Sequence, residues 1–180
     1  MVFIPLKAEL KDFLKDYEKL IILGIGNELR GDDGLGSYFI KELELDLDKD
    51  FDTLNGSHNQ YKLDDNLILI DCGSVPENFT GMIKKEKPSH ILAVDAALMG
   101  SSPGTVKVIK KEKIADINTS SHSMSLSFLI KYLEEDITFK FLFIGVEPVA
   151  MDLGENLSEE VMKSGIFLKN TLISVLNDNE

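Results

Sequence analysis

A single cysteine, Cys72, stands in the 180-residue chain, so no disulfide can form within it. That excludes a small disulfide-stapled fold and suits a reducing compartment. Basic residues are scarce too: 19 Lys and Arg face 31 Asp and Glu, a formal net charge of −12. The balance disfavours nonspecific attraction to nucleic acid or to an anionic membrane and favours solubility. No apolar run approaches the ~20 residues needed to span a bilayer. The opening stretch, MVFIPLKAELKDFLKDYEKL, lacks the basic start and apolar block of a secretory signal. The expectation is a cytoplasmic protein with no nucleic-acid partner and no membrane insertion. Internal repeats and low-complexity tracts are also missing, which leaves one domain over residues 1–180.

The elements that are present alternate. Residues 1–18 read as a leading helix with Leu6, Leu10, Phe13, Leu14 and Tyr17 on one face. LIILGI (20–25) is a short buried strand stopped by glycine, and residues 34–47 place Leu35, Phe39, Ile40, Leu43 and Leu47 at helical spacing. The polar stretch 48–66 has no regular period and is expected as a long surface loop. NLILIDCGS and HILAVDAALMG supply further strands on either side of a short helix in NFTGMIKKEKP. GTVKVIK (104–110) follows so closely, across LMGSSPG, that no crossover helix fits; an antiparallel hairpin is predicted. SMSLSFLIKYLEED offers Met124, Leu126, Phe128, Leu129, Tyr132 and Leu133 as one helix face, FKFLFIGVEP is a fifth strand, and Leu157, Val161, Leu168, Leu172 and Val175 mark a final helix. This order predicts an α/β fold: a three-layer α/β/α sandwich around a mixed, mostly parallel five-stranded sheet.

In such sheets, sites gather outside the carboxyl ends of the parallel strands. GIGNELRGDDGLG (24–36) leaves the first strand, and its adjacent acids suit a cation better than a phosphate. Asp33 opens the next helix, Asp95 closes the apolar run ILAV, and His122 in TSSHSMS precedes the helix that must begin at the same edge. Three separated pieces of chain therefore aim Asp33, Asp95 and His122 at one rim, expected to be open to solvent. Two carboxylates and an imidazole suit nickel, zinc, iron or cobalt with positions left for water or substrate.

Plainer roles compete at each position. Asp32 reads as a cap or loop-shaping residue, and Asp33 alone would have the same reading. Asp71 resembles Asp95 in its place at a strand end and is expected to support loops through hydrogen bonds. Cys72 reads as a small packing residue, and His58 and His90 as solvated loop residues. No Gly-x-Ser-x-Gly elbow surrounds the serines near His122, which argues against a serine hydrolase. Gly24 and Gly26 begin a dinucleotide fingerprint, but Leu29 holds the third glycine position.

GIGNELRGDDGLG, IDCGSVPEN, VDAALMGSSPGTVKVI, TSSHSMSLSFLI and FIGVEP, in that order, resemble the maturation endopeptidases of nickel–iron hydrogenases. The likeness is greatest to the branch serving formate-hydrogenlyase-type large subunits, and it covers about residues 20–165. The resemblance implies an aspartic-type peptidase that removes the C-terminal extension of a large-subunit precursor after nickel insertion. The cut falls after a terminal Cys-x-x-Cys-x-x-His/Arg motif. By motif, the roles of binding or sensing nickel, and of catalysis, fall on Asp33, Asp95 and His122, with nickel carried by the precursor. Whether nickel activates the bond or only docks the substrate stays open. Two alternatives use the same residues: a non-catalytic protein that binds a metallated maturation partner, and a zinc metallohydrolase with a small-molecule substrate.

Overall fold

Strands without polar residues belong in the middle of a sheet covered on both faces, and Leu20–Ile25 (β1) takes that place in the computed structural model. The structure describes residues 4–47, 52–53, 60–62, 65–116, 118–119 and 126–178. β1 pairs in parallel with Leu67–Gly73 (β4) on one side and with His90–Leu98 (β5) on the other. Lys140–Val146 (β8) lies parallel beyond β5, and Val106–Lys110 (β6) closes the row antiparallel to β8. These five strands form the mixed, mostly parallel sheet expected from the sequence.

Alternation along β1 sends Leu20 and Ile22 to one face and Ile21, Leu23 and Ile25 to the other. The first face is covered by Ile4–Leu14 (α1), Leu35–Leu47 (α2) and Glu159–Asn177 (α5), through residues such as Leu10, Phe39 and Leu172. Thr80–Glu86 (α3) and Leu126–Glu134 (α4) cover the second through Ile83, Leu129 and Leu133. Each such side chain, fully buried, contributes about 1.5–3 kcal/mol relative to exposure, so both faces reward apolar residues.

Several expectations are corrected. The segments 90–98 and 104–110 do not make a hairpin. β8 takes the free edge of β5, and β6 pairs with the far side of β8. The 99–105 connection steps over the end of β8 and is anchored there: Glu147 Oε2 accepts from the N–H groups of Met99 (2.8 Å) and Ser101 (3.0 Å). The stretch 48–66 is not wholly loop. Gln60–Lys62 (β3) pairs antiparallel with β4, and Asp52–Thr53 (β2) pairs with β3. Edge strands pair through the backbone and tolerate polar sequence, so no apolar run announced them. On α4 the buried residues are Leu126, Leu129, Ile130 and Leu133, while Phe128 and Tyr132 are exposed. Leu126, Leu129, Ile130 and Leu133 repeat at i, i+3, i+4 and i+7, and that stripe turns Phe128 and Tyr132 outward; Met124 lies outside the described residues.

His90 is no solvated loop residue either. It is the buried first residue of β5, met edge-on by Phe13 (centroids 5.0 Å apart) and Tyr17 (6.4 Å). Burial, followed by the nearby Lys140 charge, pushes its pKa below the ordinary histidine value, so α1 packs over a neutral imidazole. His58 lies outside the described residues.

Candidate active site

Strand order places β4 and β5 on opposite sides of β1. The chain leaves β1 toward α2 and β4, then returns to start β5 on the other flank. The carboxyl ends of β1 and β5 therefore bound a topological switch point, the place where open α/β sheets hold ligands. The β1–β5 pairing stops at Gly24 and Val94, one residue before Asp95.

Past β1 the backbone turns sharply on Gly26, at φ 138°. A Cβ there would lie 1.7 Å from the Asp33 carbonyl oxygen and 3.6 Å from Asp95 Oδ1. Gly26 is thus the point at which the acidic turn folds back against β5, and it joins Asp33 to Asp95. Asp95 is not the last strand residue; β5 continues to Leu98, and Asp95 faces Gly145 of β8 across the ladder.

Asp33 sits in a 3-10 turn, Gly31–Gly34, that leads into α2. Its N–H donates to the Arg30 carbonyl (3.1 Å), but both carboxylate oxygens are buried with no hydrogen-bond partner among the described residues. It is therefore not serving as a cap there. Asp33 and Asp95 are each 1% exposed, so the open rim expected from the sequence is corrected: both are buried. A buried carboxylate without donors is unfavourable unless a cation or another donor reaches it. The Asp95 carboxylate approaches the Asp33 backbone across Gly26, and in so acidic a neighbourhood a cation serves better than a neutral donor.

Asp32 has the opposite surroundings. Its Oδ2 accepts from Val149 N–H (2.7 Å), Ala150 N–H (3.3 Å) and Ser158 Oγ–H (2.9 Å), and its Oδ1 accepts from Ser158 N–H (2.6 Å). Ser158 is the N-cap of α5. Asp32 therefore shapes loops, as expected, by fastening the turn to the 147–158 segment. Asp71 supports the same region: its Oδ1 accepts from Ser37 Oγ–H (2.6 Å) and Gly73 N–H (3.1 Å).

Glu147 is the residue that sequence reading missed. It is buried and holds the 99–105 connection at the carboxyl end of β8. A signal existed, since Glu147 follows the apolar FLFIGV as Asp95 follows ILAV. Cys72 packs in the core, where burial and the neighbouring Asp71 and Glu77 charges push its thiol well above the usual range, unsuited to act as a nucleophile.

His122 lies outside the described residues. On its amino side, Asn118–Thr119 (β7) pairs antiparallel with Ala97 and Leu98 of β5, just past Asp95; on its carboxyl side, α4 starts at Leu126. Among the described residues no three His, Cys, Asp or Glu side chains form a group ready for a metal ion. Of the three candidate residues the structure thus describes two, Asp33 and Asp95, with Asp33 holding unused acceptor capacity.

Comparison with known proteins gives a consistent picture. A family model described as hydrogenase maturation protease (HycI) matches residues 54–174. A Methanocaldococcus jannaschii protein assigned to the hydrogenase maturation proteases is 40% identical over 173 residues, covering 96% of this chain and 97% of its own length. The hydrogenase 3 maturation protease of Escherichia coli K12 is 34% identical over 129 residues, 71% of this chain and 72% of its own. The crystal structure of a [NiFe] hydrogenase maturation protease HycI from Thermococcus kodakarensis superposes with a TM-score of 0.76 at 25% identity, covering 94% of this chain and 99% of that one.

Proposed function

The chain belongs to the hydrogenase maturation protease family, and we propose that it is the endopeptidase that trims the C-terminal extension from a nickel–iron hydrogenase large-subunit precursor once nickel is in place. Membership of a peptidase family sets aside the non-catalytic binding protein and the small-molecule zinc hydrolase.

One observation carries the finer reading: Asp33 has two buried carboxylate oxygens with no partner among the described residues, beside Asp95 at the β1/β5 switch point. In this proposal nickel arrives as part of the substrate. Asp33 and Asp95 receive it together with His122, and the ion brings the scissile peptide to the acidic pair. Hydrolysis then adds a water oxygen to the peptide carbonyl carbon, breaks the C–N bond and delivers a proton to the leaving amine. Asp33 has the capacity to meet the ion through one oxygen and accept the water proton through the other. Because both carboxylates are buried, engagement requires the surrounding chain to part locally. An empty precursor lacks the cation that rewards this opening, which makes nickel a checkpoint.

The test is a substitution panel on nickel-loaded precursor, read by the mass of the products. Asp95→Asn and His122→Ala should each slow trimming by at least about 100-fold, the scale of a lost catalytic group. His58→Ala should trim at the parent rate. Normal trimming by Asp95→Asn would refute the assignment.

A further inference from the structure

The loops beside the acidic pair display large apolar side chains for which the fold itself has no use. Leu29, on the turn that carries Asp33, is 68% exposed; Val149 and Leu153, on the 147–158 segment, are 52% and 79% exposed. They belong to one unit. Gly154 N–H donates to the Leu29 carbonyl (2.8 Å), Gly31 N–H to that of Glu155 (3.2 Å) and Asp32 N–H to that of Ala150 (3.0 Å). Arg30 Nε donates to the Met151 carbonyl (3.3 Å), and the buried Asp32 carboxylate fastens Val149, Ala150 and Ser158 from below.

Exposed leucines on backbone held this firmly are presented surface rather than a frayed loop end. Side chains on a fixed backbone lose less freedom when a partner covers them, so a prearranged apolar patch binds at lower entropic cost. From this we infer that Leu29, Val149 and Leu153 form a docking wing for the precursor polypeptide, taking an apolar stretch of the chain beside the scissile bond. The inference rests on the function proposed above. It adds what that reading lacks, a way to hold the polypeptide as distinct from its metal. The occupant follows from continuity: Leu29 lies four residues before Asp33, at most about 14 Å along the chain, so the wing is within reach of the residues flanking a peptide bond held at Asp33.

Initial rates of trimming against precursor concentration test the wing, with products identified by mass. The double variant Leu29→Ser/Leu153→Ser should raise KM about tenfold and leave kcat within about twofold, since two exposed apolar contacts are lost and the acidic pair is untouched. Leu45→Ser, also strongly exposed but on α2, should match the parent in both. Precursor binding is measured in parallel by calorimetry on Asp95→Asn protein, where the leucine pair should weaken association about tenfold with no turnover needed. If the parent protein fails to trim but the binding loss is seen, the catalytic reading falls and the docking wing stands. Unchanged KM and unchanged binding in the double variant overturn the wing. So does a parent dimer in sedimentation that the double variant dissolves, because a second copy would then be the occupant.

Discussion

Two adjacent aspartates separate stability from chemistry at the scale of single residues. Asp32 accepts from Val149, Ala150 and Ser158, so Asp32→Asn turns an amide NH2 toward existing donors. That change should cost about 2 kcal/mol, read as a lower urea midpoint, with a loss of trimming milder than that of its neighbour. Asp33 has two buried oxygens with no hydrogen-bond partner among the described residues, so Asp33→Asn takes no hydrogen bond from the fold. Its urea midpoint should stay close to the parent's while trimming falls at least about 100-fold. Equal destabilisation by both substitutions would mean that Asp33, too, is a structural acceptor.

Between elements, β1 and the start of α2 touch backbone to backbone. A Cβ on Gly36 would lie 2.1 Å from the Ile25 carbonyl oxygen and 2.2 Å from the Ile25 nitrogen, and one on Gly24 would meet the Gly36 oxygen at 2.2 Å. Gly36→Ala should therefore cost about 3 kcal/mol in urea unfolding, since the obstacle is rigid backbone. Gly81→Ala, in the first turn of α3 with nothing within 4 Å of the added carbon, should gain about 0.5 kcal/mol. A tolerated Gly36→Ala would show that the turn carrying Asp33 is not held by this contact.

The same scale explains what could be read from sequence. Four strands were visible because burial on both faces demands unbroken apolar runs, and their parallel direction was enough to bring Asp33 and Asp95 to one edge. The partner of β6 was not visible: a short connection fixes the direction of the next strand but not which neighbour it skips. β2 and β3 escaped because their pairing is made by backbone groups that every residue carries. Glu147 escaped because the N–H groups it holds, at Met99 and Ser101, are more than forty residues away. Burial of Asp33 and Asp95 was equally hidden, since it depends on tertiary packing, in which Gly26 at positive φ lets the loop leaving β1 approach closely.

At the scale of the whole molecule, two apolar layers on opposite faces of the sheet leave its carboxyl edge as the place for polar chemistry. None of the helices, among the described residues, is long and apolar enough to cross a membrane. In the proposed function the substrate brings a cation to Asp33, whose buried oxygens have no partner among the described residues. The decisive measurement is the product mass after incubating the protein with the large-subunit precursor in nickel-loaded and nickel-free forms. The loaded form should give a shortened subunit and a released C-terminal peptide, with the empty form trimmed at least about 100-fold more slowly. Equal trimming of both forms, or an intact loaded precursor, would contradict the proposed function.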